Sequence, residues 1–175
     1  GPPGAGLAGV VGMVVIGVGS LIASQEAGEA EAMNDVRSQT ESLARTVLEP
    51  NLSAELLDGD TAAVAQLDEI VQGRVLGGST LRVKLWDSTG LVVYSDEHRL
   101  IGERYELDED KTASLWSGEV VSEVSSLEGP ENRFETIEGQ ALEVYLPVQG
   151  PSGEPLLFES YYSMSAVDAS SSRIR

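Results

Sequence analysis

The period of hydrophobic and polar positions changes along the chain. Residues from Leu7 to Ile22 are apolar or glycine, apart from Ser20, with no charged side chain among them. From Gln25 to Glu49 apolar positions recur at spacings of three and four, at Met33, Val36, Thr40, Leu43 and Val47. Beyond Thr80 the pattern alternates: Leu81, Val83 and Leu85 against Arg82, Lys84 and Trp86. A continuous apolar run, a 3.5-residue stripe and a two-residue alternation predict a membrane-length helix, an amphipathic helix and a β-strand, in that order.

The apolar window 4–24 is about the length needed to cross a bilayer. Its glycines are tolerated there because a helix in lipid satisfies its own backbone. A secretory signal sequence is the alternative, but no Lys or Arg precedes the run and Leu21-Ile22-Ala23 is a poor cleavage site. The chain starts at Gly1 without Met, so a truncated N-terminus is expected. The stripe after it reads either as a dimer seam rising from the membrane or as packing of the helix on its own domain. Pro50 should break that helix. A short helix over 53–57 and another from Asp60 or Thr61 to about Arg74 follow.

Strand 81–86, the Asp87-Ser88-Thr89-Gly90 turn and strand 91–95 form a predicted hairpin with Leu and Val facing the core. Asp108 should cap a helix running to about Trp116, with Gly118 ending it. Further strands are expected over 120–124, 134–137, 141–148 and 155–161, and a closing helix over 165–175 with Ser165 as cap. Strands joined by short turns, with helices packed on them, predict an α+β fold. The expected organisation is therefore a transmembrane helix over 1–24 and a single domain over 25–175. Within that domain 25–49 is a stalk helix, 80–162 the sheet core, and 165–175 a helix leading to a second membrane helix.

Charge sharpens this division. The first charged residue is Glu26, and all 29 acids and 11 basic residues lie at or beyond it, for a net charge of -18. Nucleic acid is excluded as a partner, because it needs a basic surface. There is no Cys and only one His, so the usual nucleophilic triads and His-based metal sites are unavailable. Gly77-Gly78 precedes a strand, not a helix, and forms no phosphate loop. Asp108-Glu109-Asp110 suits a helix N-terminus and lacks the spacing of a calcium loop. Glu26, Glu29, Glu31 and Asp35 read as a solvated helix face, or as acids holding divalent cations against lipid headgroups. No catalysis, cofactor or metal is expected in this fragment.

The hairpin Trp86-Asp-Ser-Thr-Gly-Leu-Val-Val-Tyr-Ser-Asp96, followed by Leu100-Ile101-Gly102, resembles the core of PAS-like Cache sensor domains. With Leu81-Arg-Val-Lys-Leu-Trp-Asp87, Gly129-Pro-Glu-Asn-Arg133, Leu142-Glu-Val-Tyr-Leu-Pro-Val148 and Glu154-Pro-Leu-Leu-Phe-Glu159, the stretch from about Glu26 to Arg173 resembles a particular class of sensor. That class is the extracytoplasmic region of membrane sensor histidine kinases of high-GC Gram-positive bacteria, the receptors of two-component systems. The resemblance implies a central antiparallel sheet flanked by a long N-terminal helix, a homodimer, and a cell-membrane location with the domain on the extracytoplasmic side. The signal it implies is an unknown small molecule, cation or protein.

In ligand-binding members the pocket lies between the sheet and the loop after the hairpin. Dicarboxylate and citrate sensors carry a Ser-His-Pro step where this chain has Ser95-Asp96-Glu97; acids there would repel an acidic ligand. The resemblance makes Asp96, His98 and Arg99 the best-placed polar residues, with Tyr94 and Trp86 as walls and Arg133 and Tyr145 closing the pocket. Each has a bland alternative: a salt bridge of Asp96 with Arg99 or Arg133, a solvated His98, core tryptophans at 86 and 116. Met33, Val36, Thr40, Leu43 and Val47 remain the candidate dimer seam. Two other functions stay open, a ligand-free dimerisation module and the input domain of a chemoreceptor or cyclic-dinucleotide enzyme.

Overall fold

A computed structural model describes Gly28 and residues 30–172. The apolar window 4–24 and the last residues, 173–175, lie outside the described residues. None of the described helices is long and apolar enough to cross a membrane.

The first helix, α1, covers 30–43 and continues as a π-turn over Ala44–Leu48 and a 3₁₀ turn over Glu49–Asn51. Its buried positions are Ala32, Val36, Thr40, Ala44 and Leu48, each four residues after the last. In a regular α-helix such a row drifts about 40° per step around the axis. The wider π-turn offsets that drift and keeps Leu48 against the core. The sequence stripe of alternating threes and fours misses this row in part: Met33, Leu43 and Val47 flank it and are half-buried. Two short helices follow, α2 (Ala54–Leu57), capped by Ser53, and α3 (Thr61–Arg74), capped by Asp60 Oδ1 on the amides of Ala62 and Ala63.

Strands β1 (Thr80–Asp87), β2 (Val92–Ser95), β3 (Val121–Ser125), β4 (Ala141–Gln149) and β5 (Pro155–Ser163) form one antiparallel sheet in the order β2-β1-β5-β4-β3. Helix α4 (Glu109–Ser117) lies between β2 and β3 in sequence, and α5 (Met164–Ser172) follows β5. The β1–β2 turn requires glycine: Gly90 has φ +83°, and a Cβ there would meet the Tyr105 carbonyl oxygen at 1.9 Å.

Both faces of the sheet are covered, which corrects the expectation of one core face. On one face Val83, Leu85, Leu146, Val148, Leu156 and Phe158 pack against α2, α3 and the end of the first helix. The same face continues as a second cluster, in which Ala32 and Val36 of α1 meet Leu142, Val144, Tyr162 and Val167 of α5. On the other face Trp86, Val92, Tyr145 and Leu157 pack under Leu100 and Leu115. Leu81 does not face the core and is 37% exposed; the register shift between Thr80 and Arg82 turns it outward. Residues 134–137 are not a strand, because the edge of the sheet is already taken by β3 and they run as a loop over the sheet. Trp116 is not core: it is 66% exposed on the outer side of α4. The closing helix begins at Met164, ahead of the expected Ser165 cap.

Candidate functional site

The second face of the sheet carries charge under cover. Alternation and register line up Lys84, Glu159 and Tyr145 across β1, β5 and β4, and beside them Arg82, Tyr161 and Glu143. Helix α4 and the turn Pro130–Asn132 lie over them, adding Lys111, Glu131 and Asn132. Lys84, Lys111, Glu143, Glu159 and Asn132 are all buried. Charged side chains are rarely buried to this degree unless paired, so their partners matter.

Trp86 Nε1 donates to Glu159 Oε2 at 2.6 Å, and the Tyr161 hydroxyl faces Glu159 Oε1 at 2.9 Å and Asn132 Oδ1 at 2.7 Å. Lys84 Nζ donates to Asn132 Oδ1 at 2.8 Å and to the Tyr161 hydroxyl, and stands 4.4 Å over the Tyr161 ring. Lys111 Nζ reaches Asp108 at 2.5 Å, Glu131 at 3.4 Å and Glu159 at 4.0 Å. The Tyr145 hydroxyl meets both Glu123 Oε1, at 2.7 Å, and Glu143 Oε2. Glu143 Oε1 is buried with no hydrogen-bond partner. Among the described residues, no group of three or more His, Asp or Glu is placed to hold a metal ion.

The electrostatics follow from burial and the excess of acid. Burial, then the neighbouring Glu159 charge, push the Glu143 carboxyl up to about 7. Burial raises Glu123 as well, with Asp110 and Asp108 adding to it. For Lys111 burial acts downward, but Glu159, Asp108 and Glu131 outweigh it and hold its pKa above the ordinary lysine value. Burial, then the Glu159 and Glu143 carboxylates, push the Tyr145 and Tyr161 phenols far up, so both are neutral.

Of the residues singled out in the sequence, Trp86 and Tyr145 lie in this cluster. Arg133 and Arg99 stand at its rim, stacked on the Phe134 ring at 4.7 and 3.9 Å. Arg133 pairs with Glu103, and Arg99 with Glu97. Asp96 is spent on structure: Oδ2 takes Arg82 Nη1 and Oδ1 takes the Val83 amide, both at 2.8 Å. Its partner is Arg82, neither Arg99 nor Arg133. Tyr94 and His98 are on the opposite side, where both bond Asp68 Oδ1 at 2.7 and 2.8 Å. Val36 and Thr40 of the stripe are covered by the chain's own sheet.

Sequence reasoning passed over Lys84, Lys111, Glu143, Glu159, Tyr161 and Asn132. Each polar residue on the strands falls on the off-beat of an alternation, where solvent is the default. The signal was in their neighbours: Trp86, Leu157 and Tyr145 share those off-beats, and large apolar or aromatic side chains on both beats mark a sheet covered on both faces.

No family model matches the chain, and no curated protein sequence does. Solved structures do. The E. coli DcuS sensor domain matches with a TM-score of 0.54 at 18% identity, over 80% of this chain and 97% of that one. The V. cholerae histidine kinase DctB sensor domain matches with a TM-score of 0.50 at 13% identity, over 86% of this chain and 59% of that one. An extracellular ligand binding receptor from Desulfohalobium retbaense has a TM-score of 0.46 at 15% identity, over 84% and 26%. The chain shares the fold of the DcuS and DctB sensor domains. At these identities the shared property is the fold.

Proposed function

We propose that this chain is the extracytoplasmic signal-sensing domain of a membrane sensor histidine kinase. In this reading residues 4–24 anchor it, a homodimer carries the signal, and the kinase core belongs to a longer protein. The fold is that of sensor domains, and the covered polar cluster lies on one face of the sheet. The observation that carries the reading is on β5. Tyr161 points into the cluster, while Tyr162, the next residue, points to the opposite face and its hydroxyl meets Thr40 Oγ1 of α1 at 2.5 Å. Tyr162 also packs with Val167 of α5. A change in the cluster that shifts β5 is therefore felt where the first and last helices meet, which is where a signal must go to reach membrane helices at either end. An acid-rich cluster disfavours a di- or tricarboxylate signal and favours a cation. Of the stripe, Met33 and Val47 also pack against the chain's own core, and half-buried Leu43 is the position left for a partner helix.

The test uses the intact receptor in membranes, with its phosphorylation output read for Glu159→Gln and Tyr162→Phe. Both substitutions should alter the basal output or its response at unchanged protein level. Wild-type output from both would remove the sensing role from this cluster.

A further inference from the structure

The walls around Lys111 form a cage for a positively charged nitrogen. Its Nζ stands 4.9 Å from the Tyr145 ring centroid and 6.0 Å from that of Trp86. Carboxylates of Asp108, Glu131 and Glu159 surround it within 4.0 Å. Aromatic faces and carboxylates are the combination that recognises ammonium groups. Tyr145, Trp86 and Glu159 come from the sheet and Glu131 from the loop over it, whereas Lys111 comes from α4. The occupant and most of the walls thus belong to different elements, and the ammonium can leave while the walls stay. Asp108, at the N-terminus of α4, keeps a side chain 47% exposed, so the cage borders solvent on that side.

Glu143 supplies an independent sign. It is 2% exposed, its Oε2 meets the Tyr145 hydroxyl, and Lys111 Nζ is 3.4 Å from that same hydroxyl. Its Oε1 has no partner. A buried oxygen without a well-formed hydrogen bond costs free energy; the Ser125 hydroxyl acts on this carboxyl only weakly, and Lys111 directs its donors at Asp108, Glu131 and Tyr145.

We propose that this cage binds a primary organic ammonium, and that Lys111 occupies the ammonium position in the unliganded protein as an internal stand-in. The proposal rests on the sensing role above and names the ligand class. Displacing Lys111 would remove the charged contact of α4 with the sheet and leave Leu115 as its apolar anchor.

The experiment is a thermal-shift titration of the full chain in detergent micelles with n-butylammonium, matched for ionic strength with sodium chloride. Lys111→Ala leaves the cage open, and Lys111→Met fills it without charge. The alanine variant should melt lower than wild type and recover saturably, at concentrations at least tenfold below those wild type needs. The methionine variant should not respond. A Lys111→Ala response to n-butylammonium no greater than to sodium chloride overturns the proposal. If that variant does not fold, the same titration is read on Trp116→Phe, where Trp86 is the sole tryptophan. A saturable fluorescence change specific to n-butylammonium supports the cage, and its absence overturns it. Binding without any change in receptor output would instead sink the sensing role and leave the cage standing.

Discussion

The Tyr145 hydroxyl has one proton and two carboxylates to serve. Glu123 Oε1 lies 2.7 Å away, and Glu143 Oε2 is in contact as well. Two ionised carboxylates cannot both accept from one hydroxyl, so a second proton belongs on one of them. Glu143 is the deeper and stands beside Glu159, and its carboxyl is pushed up from 4.5 to about 7. The folded protein therefore holds a proton that the unfolded chain releases between those values. This contribution to stability is complete below about pH 4.5 and declines as pH rises through about 7, by roughly 3 kcal/mol at most. Urea unfolding of wild type between pH 5 and 8 should show the midpoint falling as pH rises. Glu143→Gln, neutral throughout, should flatten that slope, and an unchanged slope would move the proton to another site.

Helix α4 is the element that joins local folding to the cluster. Asp108 Oδ1 accepts the Lys111 amide at 2.8 Å as the helix cap, while Oδ2 holds the Lys111 ammonium at 2.5 Å. Gly118 ends the helix at φ +79°. Asp108→Ala should lose about 1 kcal/mol for the cap and more for a buried ammonium short of a partner. Asp108→Asn keeps the cap acceptor and should recover the first part only. Equal losses in the two variants, measured by urea denaturation, would make the charge contact the whole effect. These caps were legible in the sequence because a cap depends on a few adjacent residues: Asp60, Asp108 and Gly118 all act as their positions suggest. The strands of the sheet were legible for the same reason, through alternation and turns. The cluster was not. Lys84, Glu143 and Glu159 look like solvent-facing residues until a helix and a loop distant in sequence are laid over them. Asp96 was singled out for its place after β2, yet Arg82, fourteen residues earlier, takes its charge.

At the scale of the molecule the sheet separates two environments, buried charge beside an apolar cluster under α4 and an apolar core under α1 and α5. Strand β5 is central in the sheet and contributes to both, through Glu159 and Tyr161 on one side and Tyr162 on the other. Tyr162→Phe should cost about 1 kcal/mol for the lost hydrogen bond, since Thr40 Oγ1 keeps its bond to the Val36 carbonyl at 2.7 Å. The most direct test of coupling across the sheet is amide hydrogen exchange on the full chain, wild type against Glu159→Gln, with Glu55→Gln on the exposed surface as control. Coupling through β5 predicts faster exchange in α1 around residues 36–44 and at the start of α5, beyond the expected change in α4 and in 130–135. A change confined to α4 and that loop, with α1 and α5 protected as in wild type, would contradict it.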